Sequence, residues 1–252
     1  MTILEASTNP FRGILPKPAD LPADPEQFRR QLAQSLAAWT AEGYKVVWLE
    51  VPIEKSALIP VAVEAGFGFH HSSEKYLMLT LRLQPEALIP NYATHYIGAG
   101  GVVLNSQDEL LVVSEQHRRN RDRPYYKLPG GAIHPGEHLV DGVIREVLEE
   151  TGIETEFEKL VCFRHWHGYR YGKSDIYFIC RLSPLSHAIT KQDDEIEECI
   201  WMPVQEYLSS DYVGNFNQRI VRAALNGVGV KPDWIDGYDN PTTHEFFMPV
   251  EG

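Results

Sequence analysis

Three glutamates lie close together in the segment IREVLEETG, residues 144–152. One explanation for their spacing is a binding site that needs negative charge. Glu146, Glu149 and Glu150 fall within five consecutive positions, and Arg145 is the only cation in the segment. On an exposed helix, like charges one turn apart repel by about 0.2–0.5 kcal/mol per pair. A divalent cation such as Mg²⁺ or Mn²⁺ offsets this repulsion, because hard cations take carboxylate oxygens as ligands. A solvated acidic helix face is the alternative that the segment alone leaves open.

The same segment belongs to a pattern that predicts an amphipathic helix over residues 140–151. Four apolar residues recur at helical spacing on one side, namely Val140, Val143, Ile144 and Val147. We expect the three glutamates on the opposite side, where they present their carboxylates together. Gly152 suits the left-handed conformation that commonly ends a helix.

The residues before this helix favour the metal site over the solvated face. The stretch GAIHPGEHLVDGVIREVLEETGI begins at Gly131 and fills every defining position of the 23-residue Nudix box. In that box a glycine, a glutamate, an Arg-Glu pair, a Glu-Glu pair and a final glycine stand at fixed offsets. A pattern with so many fixed positions is far more specific than a short glycine motif. The chain therefore resembles the Nudix hydrolases over about residues 93–225.

This resemblance implies a reaction and a set of site residues. Nudix hydrolases cleave a nucleoside diphosphate linked to another moiety, X, and release a nucleoside monophosphate and phosphorylated X. Each box position implies a role for the residue that occupies it in this chain. The implied ligands of Mg²⁺ or Mn²⁺ are Glu146, Glu149, Glu150 and a backbone carbonyl at Gly131, and the pair implied to brace loop and helix is Glu137 and Arg145.

The base that takes a proton from the attacking water has two candidates. Glu146 lies within the box, whereas members of the family often place another acid outside it. The run DDEIEE, residues 193–198, offers Glu195 for that role. A solvated acidic turn is the alternative interpretation of this run.

The first part of the chain predicts a small α/β domain. Apolar spacing predicts a helix at 26–41, a strand at 44–52, a helix at 55–64 and a strand at 76–83. The proline-containing stretch at 83–94 has little periodicity and predicts a linker. We assign residues 1–90 to this N-terminal domain.

The remaining residues predict the mixed sheet and flanking helices of a Nudix α/β/α sandwich, which we assign to 91–226. HYIGAGGVVLN and ELLVVSEQ predict a β-hairpin joined by NSQDE, and the loop KLPGGAIHPGE leads into the box helix. Further strands and two helices follow, the last predicted at 216–225. In the tail, 227–252, no periodicity predicts an element.

A narrower resemblance extends through both domains. The stretches GYKVVWLEVPIEKSALIPVAVEAGFGFHH, YKLPGG and KQDDEIEECIWMPVQEY are similar to the two-domain Nudix subfamily that includes plant ADP-ribose and NADH pyrophosphatases and the animal fibroblast-growth-factor antisense Nudix protein. That resemblance implies an N-terminal domain similar to part of an acetyltransferase fold, and a homodimer. A true acetyltransferase is not expected, because residues 1–90 lack a glycine-rich loop to hold the coenzyme A pyrophosphate.

The subfamily resemblance implies ADP-ribose or NADH as substrate. A dinucleoside polyphosphate or an oxidised nucleotide is an alternative substrate, and a nucleotide-sensing regulator is an alternative function. The candidate substrate contacts are Arg164, Tyr169 and Lys173, with stacking on nearby aromatic residues as a further option. The basic run HRRNRDR, 117–123, is a candidate phosphate contact or a solvated loop.

Charge and composition exclude other classes of protein. The formal net charge of −12 disfavours binding to nucleic acid or to an anionic membrane. The three cysteines are odd in number and far apart, so neither a disulfide framework nor a CxxC metal site is expected. These features, with no apolar run long enough to span a bilayer, predict a cytoplasmic protein.

Overall fold

The computed structural model describes residues 2–117, 123–233, 235, 240 and 242–249. The chain divides into two compact units, Met1–Thr94 and His95–Gly252. Within the described ranges, no helix combines the length and apolar character needed to cross a membrane. Residues 118–122 of the basic run, predicted as candidate phosphate contacts, lie outside the described residues.

The first unit is a five-stranded sheet with helices on its apolar face. In space the strands follow the order β1-β2-β3-β5-β4, and only β2 and β3 run parallel. Short 3-10 helices cover Pro18–Asp20 and Ile53–Leu58. The strands and helices are β1 (Ala6–Thr8), β2 (Gly13–Pro16), α1 (Pro25–Ala41), β3 (Val46–Pro52), α2 (Ile59–Glu64), β4 (Gly68–Ser72) and β5 (Tyr76–Arg82).

The helix and strands predicted in the first unit are present, with one interruption. Helix α1 begins after Asp24, whose carboxylate accepts a hydrogen bond from the Gln27 amide at 2.8 Å, and it buries Phe28, Leu32 and Trp39. The single helix predicted at 55–64 is instead a 3-10 helix followed by α2. Pro60 lies in the first turn of α2, where a missing N–H is tolerated, and it therefore starts a new helix.

The second unit is a layered α/β/α structure around a six-stranded mixed sheet, which confirms the predicted fold class. The sheet follows the order β13-β12-β9-β10-β6-β8, with β6 and β10 parallel, while β7 and β11 form a separate antiparallel pair. The elements are β6 (His95–Val103), β7 (Glu109–Glu115), β8 (Gly130–Ala132), α3 (Leu139–Thr151), β9 (Thr155–Trp166), β10 (Ser174–Pro184), β11 (Ile196–Pro203), α4 (Val204–Ser209), α5 (Asn215–Asn226), β12 (Val230–Pro232) and β13 (Phe247–Pro249).

Two hydrophobic cores lie on opposite faces of this sheet. One contains Val143 and Val147 of α3 packed with Cys180 and Leu182 of β10. The other contains residues of β7, β11, α4 and α5 packed against Ile179 of β10. Alternate residues of β10 therefore serve the two cores, as the twofold periodicity of a strand requires.

The prediction of a hairpin between β6 and β7 is confirmed for the turn and wrong for the strands, which do not pair along their length. Asn105 shapes the turn, since its side-chain oxygen accepts hydrogen bonds from the amides of Gln107 and Glu109 at 2.9 and 3.0 Å. Only one bridge, between Leu104 and Leu110, continues the pairing. The two strands then enter different sheets, because β7 pairs with β11 and β6 pairs with β8 and β10.

The tail contributes two short strands that the sequence does not predict. Strand β12 joins the edge of β9 through a bridge between Val230 and Leu160, and β13 pairs with β12. Phe247 packs beside Phe157 with ring centroids 6.0 Å apart. The tail is thereby attached to the sheet face that carries α3.

Candidate active site

Helix α3 carries the box glutamates and is held at both ends. Its first residue follows His138, whose side chain makes no capping hydrogen bond. Instead, the carboxylate of Glu245 in the tail accepts hydrogen bonds from the amides of Leu139 and Val140 at 2.7 and 3.1 Å. Gly152 ends the helix in the left-handed conformation with φ of 73°, as predicted.

The three glutamates do not share one solvent face, so the predicted arrangement is wrong for Glu150. Side-chain exposure is 15% for Glu146 and 53% for Glu149, but only 8% for Glu150. Glu150 is seven residues from Val143, which is nearly two full turns of helix. It therefore lies in line with the buried valines and places its carboxylate inside the protein.

Arg145 is the centre of the hydrogen-bond network on the outer side of α3. Its guanidinium donates two hydrogen bonds to Glu137, at 2.7 and 2.9 Å, and one each to Glu146 and Glu149, both at 2.9 Å. It also donates to the carbonyl of Ala132 at 3.1 Å. Helix and loop are therefore fastened together through one side chain.

The hydrogen bonds from Arg145 hold the pKa of Glu137 at about 2, well below its ordinary value. The same bonds raise the pKa of Arg145 and keep it charged. Glu137 also accepts a hydrogen bond from the His134 amide at 2.9 Å, which closes the loop before the helix. Both members of the predicted bracing pair thus lie in direct contact.

Glu150 is held from two directions. One carboxylate oxygen accepts a hydrogen bond from the Gly130 amide at 2.8 Å, and the other lies 3.8 Å from the ammonium of Lys127. Lys127 is also ion-paired with Glu115 at the end of β7. Burial raises the pKa of Glu150 to about 7, although Lys127 and the Gly130 amide oppose the shift.

Lys127 and Glu115 are two residues near the box that sequence reasoning misses. Lys127 precedes Leu-Pro-Gly-Gly, and its backbone makes two hydrogen bonds with Val113 of β7 at 2.9 and 3.0 Å. Burial is the largest influence on the pKa of Lys127 and lowers it, but the carboxylates of Glu150 and Glu115 outweigh burial and make the net shift upward. A lysine immediately before the glycine loop is the available sequence signal, and it becomes informative only when β7 is known to lie beside it.

Because they lack a Cβ, glycines in and beside the loop allow the Glu146 carboxylate and the Tyr177 hydroxyl to lie close to the backbone. A Cβ at Gly131 would collide with the Glu146 carboxylate, so this glycine permits their contact. On the other side, a Cβ at Gly100 or Gly130 would collide with the Tyr177 hydroxyl. Burial raises the pKa of Tyr177, and Glu150 and Glu146 raise it further because they lie nearby.

The donors around α3 fit a hard divalent cation. All are oxygens, and among the ion pairs of the described residues the carboxylates of Glu137, Glu146, Glu149 and Glu150 lie beside Arg145 and Lys127. This leaves a formal excess of negative charge that Mg²⁺ or Mn²⁺ suits. Among the residues that are described, no three acidic, histidine or cysteine side chains already surround a common point. Arg145 is bonded to two of the predicted ligands, so ligation would require those side chains to turn.

Comparison with known proteins identifies the family. A family model described as "NUDIX domain" matches residues 94–224, and one described as "Nudix hydrolase domain" matches residues 4–83. The chain belongs to the Nudix hydrolase family.

The similar relatives of this Nudix protein match both of its units. Nudix hydrolase 2 of Arabidopsis thaliana is 39% identical over 216 residues, which cover 85% of this chain and 77% of the relative. Nudix hydrolase 8 of the same plant is 39% identical over 84% of this chain, and that match spans 58% of the relative's length. Nucleoside diphosphate-linked moiety X motif 6 of Homo sapiens is 35% identical over 92% of this chain and 75% of the relative. The narrower resemblance predicted from the sequence is confirmed.

Solved structures similar to this chain include a NUDIX hydrolase from Nitrosomonas europaea, which is 24% identical with a TM-score of 0.45, and the match covers 52% of this chain and 89% of that one. Another is the NUDIX domain of Shewanella oneidensis NrtR complexed with ADP ribose. It is 17% identical with a TM-score of 0.43, and covers 56% of this chain and 91% of that one.

The candidate substrate contacts of the Nudix domain lie around the β9–β10 hairpin. The guanidinium of Arg164 lies 5.2 Å from the centroid of the Trp166 ring, and Trp166 lies 5.4 Å from the ring of Tyr169. Lys173 closes the hairpin turn through a backbone hydrogen bond with Tyr169 at 2.9 Å. Arg164 and Tyr169 thus share one aromatic surface, and Lys173 lies at its hairpin end.

Glu195 lies on the turn before β11. Its carbonyl accepts a hydrogen bond from the Gln116 amide at 2.8 Å, which places the turn beside the end of β7. The residue is exposed. Within the described part of the chain, Glu115 is the acid that this pair of strands brings to Lys127 and, through it, to Glu150.

Proposed function

We propose that this Nudix protein is a metal-dependent pyrophosphohydrolase that cleaves a nucleoside diphosphate linked to X, with ADP-ribose or NADH as substrate. Membership in the family supports hydrolysis of a pyrophosphate bond. The observation that carries the proposal is the network in which Arg145 fastens Glu137, Glu146 and Glu149 to the glycine loop. The choice of ADP-ribose or NADH rests on the resemblance to the two-domain subfamily.

In this proposal, Glu146, Glu149 and Glu150 hold Mg²⁺ or Mn²⁺, with the backbone carbonyl of Gly131 as a further ligand. When bound, the cation would supply charge neutralisation for the diphosphate and lower the pKa of the attacking water. Arg145 keeps the carboxylates and the loop in register, which matters because small displacements of reacting groups are costly in rate. The charge-assisted bonds to Glu137 make Arg145 itself hard to displace.

Proton removal from water is assigned to Glu146, with Glu195 as the alternative base. The position of Glu146 against Gly131 supports the first assignment, because the loop and the carboxylate are in contact. The exposed turn beside Gln116 leaves Glu195 accessible to a substrate. The dependence of kcat on pH in Glu146→Gln and Glu195→Gln distinguishes the two candidate bases. The variant that lacks the base should lose the fall in kcat at low pH, because that fall reports protonation of the base.

A substrate panel tests the proposed activity. Purified protein is assayed with ADP-ribose, NADH, NAD⁺, coenzyme A, diadenosine polyphosphates and oxidised nucleoside triphosphates, each with Mg²⁺ and with Mn²⁺. We expect hydrolysis of ADP-ribose or NADH to depend on the metal and to be nearly abolished in Glu149→Gln. Glu154→Gln, a change at an exposed residue outside the box, is the matched control and should retain activity.

Unchanged turnover in Glu149→Gln would contradict the assignment of the site. Preferred hydrolysis of diadenosine polyphosphates or oxidised nucleotides would move the substrate to the alternative class. Stoichiometric nucleotide binding without turnover on any substrate would favour a nucleotide-sensing regulator.

The subfamily resemblance also supports a homodimer as the assembly. Sedimentation equilibrium measures the mass directly against the 28.6 kDa of the chain. A mass of one chain at micromolar concentration would contradict this part of the proposal.

A further inference from the structure

The guanidinium of Arg164 lies among three aromatic rings on the sheet face that bears α5. Its central carbon is 5.2 Å from the ring centroid of Trp166, 5.3 Å from that of Tyr177 and 5.7 Å from that of Phe216. Arginine commonly packs against aromatic faces in this way, because its cation is planar and weakly hydrated. The four side chains come from β9, β10 and the first turn of α5.

The charge of Arg164 is already balanced. Its guanidinium is ion-paired with Asp175, whose side chain is only 7% exposed. A phosphate group would have to compete with this buried carboxylate, and such a competition is unfavourable for a dianion. The exposed parts of the Trp166 and Phe216 rings take no part in this ion pair. The ligand class that suits this surface is therefore a planar aromatic ring rather than a phosphate.

Two of the three rings are open to a ligand. Trp166 is 49% exposed and Phe216 is 48% exposed, whereas the hydroxyl end of Tyr177 is buried against Gly100 and Gly130. Stacking of a nucleobase on an aromatic side chain contributes roughly 1–3 kcal/mol. Trp166 and Phe216 thus present aromatic surface on a face that is stiffened beneath by the Arg164–Asp175 ion pair.

The same surface is continuous with the box. Arg164 and Tyr177 are cross-strand partners on β9 and β10. Tyr177 in turn contacts the glycine whose amide binds Glu150, namely Gly130. One tyrosine therefore connects the aromatic surface with the loop glycine whose amide holds Glu150.

We propose that Trp166, Arg164 and Phe216 form the subsite for the nucleobase of the substrate, with Trp166 and Phe216 as specificity-determining stacking residues. This inference rests on the proposed function for its substrate class, and it assigns the nucleoside half to the face of α5. Recognition by stacking predicts tolerance of different bases and little tolerance of substrates that have no base.

Binding of AMP without divalent cation tests the subsite apart from catalysis. Isothermal titration calorimetry is performed on the full chain and on Trp166→Leu and Phe216→Leu. We expect each variant to weaken AMP binding by roughly 5- to 150-fold, the change that corresponds to the loss of one stacking contact. Trp166→Phe keeps an aromatic ring and should bind AMP within about threefold of the parent protein, by the same reasoning.

Phe163→Leu is the matched control. Phe163 is 63% exposed on the same strand, but it is adjacent to Arg164 and therefore points to the opposite face, where its ring lies 5.9 Å from Phe178. This variant should leave AMP binding unchanged. Circular dichroism of every variant verifies that the fold is retained.

Kinetics provide the second readout. Trp166→Leu and Phe216→Leu should raise KM for ADP-ribose and leave kcat nearly unchanged, because the stacking is made equally in the ground state and the transition state. Absence of AMP binding by the parent protein, or equal binding by the parent and both leucine variants, would overturn the subsite. If no substrate is hydrolysed but AMP binding follows the expected pattern, the proposed function fails and the subsite stands. If hydrolysis is found but neither AMP binding nor KM responds, the subsite fails and the function stands.

Discussion

Glu245 offers a direct test of how the tail supports the box helix. Its carboxylate accepts the amides of Leu139 and Val140 at 2.7 and 3.1 Å, and the adjacent His138 supplies no side-chain cap. Glu245→Ala therefore removes the only side-chain acceptors that the described residues provide at these two amides. Loss of a helix cap typically costs about 0.5–2 kcal/mol. Loss of a negative charge from the N-terminal end of a helix adds about 0.3–1 kcal/mol.

We accordingly expect Glu245→Ala to lower the free energy of unfolding by about 1–2 kcal/mol. Glu245→Gln keeps one acceptor oxygen but loses the charge and one of the two amide hydrogen bonds, so its cost should be about 0.5–1.5 kcal/mol. Urea unfolding followed by tryptophan fluorescence measures both values. Glu154→Ala, at an exposed position three residues beyond the end of α3, is the control and should change stability by less than about 0.5 kcal/mol.

Hydrogen exchange identifies the cause of any change. The amides of Leu139 and Val140 should exchange faster in Glu245→Ala than in the parent protein, while amides in the middle of α3 change less. If both amides keep their exchange rates and the free energy of unfolding is the same, the tail does not cap the helix and the reasoning is refuted. A loss of stability without faster exchange at these amides would instead place the effect in the pairing of β12 and β13.

Three further predictions concern the box itself. Burial raises the pKa of Glu150 from its ordinary 4.5 to about 7, so its ionisation costs stability as pH rises from about 4.5 to about 7. Without divalent cation, Glu150→Gln should therefore raise the free energy of unfolding at pH 8 by about 3 kcal/mol more than at pH 4. Equal effects at both pH values in urea titrations would contradict this. The contact between Glu137 and Arg145 stabilises the fold at pH values above the ordinary glutamate pKa, and this stabilisation is lost as pH falls toward the folded pKa of about 2. Glu137→Gln should therefore flatten the decline in the free energy of unfolding between pH 5 and pH 2. An unchanged slope would contradict this prediction. Gly131→Ala places a Cβ against the Glu146 carboxylate, so Mn²⁺ affinity measured by electron paramagnetic resonance should fall roughly 10- to 100-fold. Affinity equal to that of the parent protein would show that the contact between Gly131 and Glu146 is not needed for metal binding.

Local patterns in the sequence predict the elements well where a helix stripe or a glycine cap is strong. The box helix is predicted at 140–151 and observed at Leu139–Thr151, and the last helix is predicted at 216–225 and observed at Asn215–Asn226. Both have apolar residues at helical spacing that reach a core. The mixed sheet of the second unit follows from the same alternation of elements and from the box.

Long-range pairing is what the sequence does not reveal. The contact of Lys127 with Glu115 and Glu150 depends on β7 lying beside the glycine loop, and no local signal specifies that neighbour. Strands β12 and β13 have three residues each, too short for an alternating pattern to appear. The predicted roles of Glu195, Lys173 and the box residues, and the likeness of the first unit to an acetyltransferase, stay predictions.

The burial of Glu150 explains why the helix needs support at its ends. A carboxylate in line with Val143 and Val147 makes the burial of α3 less favourable, because Lys127 and the Gly130 amide offset only part of the cost of burying its charge. Glu146 and Glu149 add repulsion on the outer side, which the bonds from Arg145 relieve. An ordinary surface helix would avoid this arrangement by placing all its acids in solvent. Three features compensate for a buried face of α3 that is not wholly apolar: the cap by Glu245, the end of the helix at Gly152 and the hydrogen bonds from Arg145 to the loop. These features also keep the carboxylates where a cation can be bound.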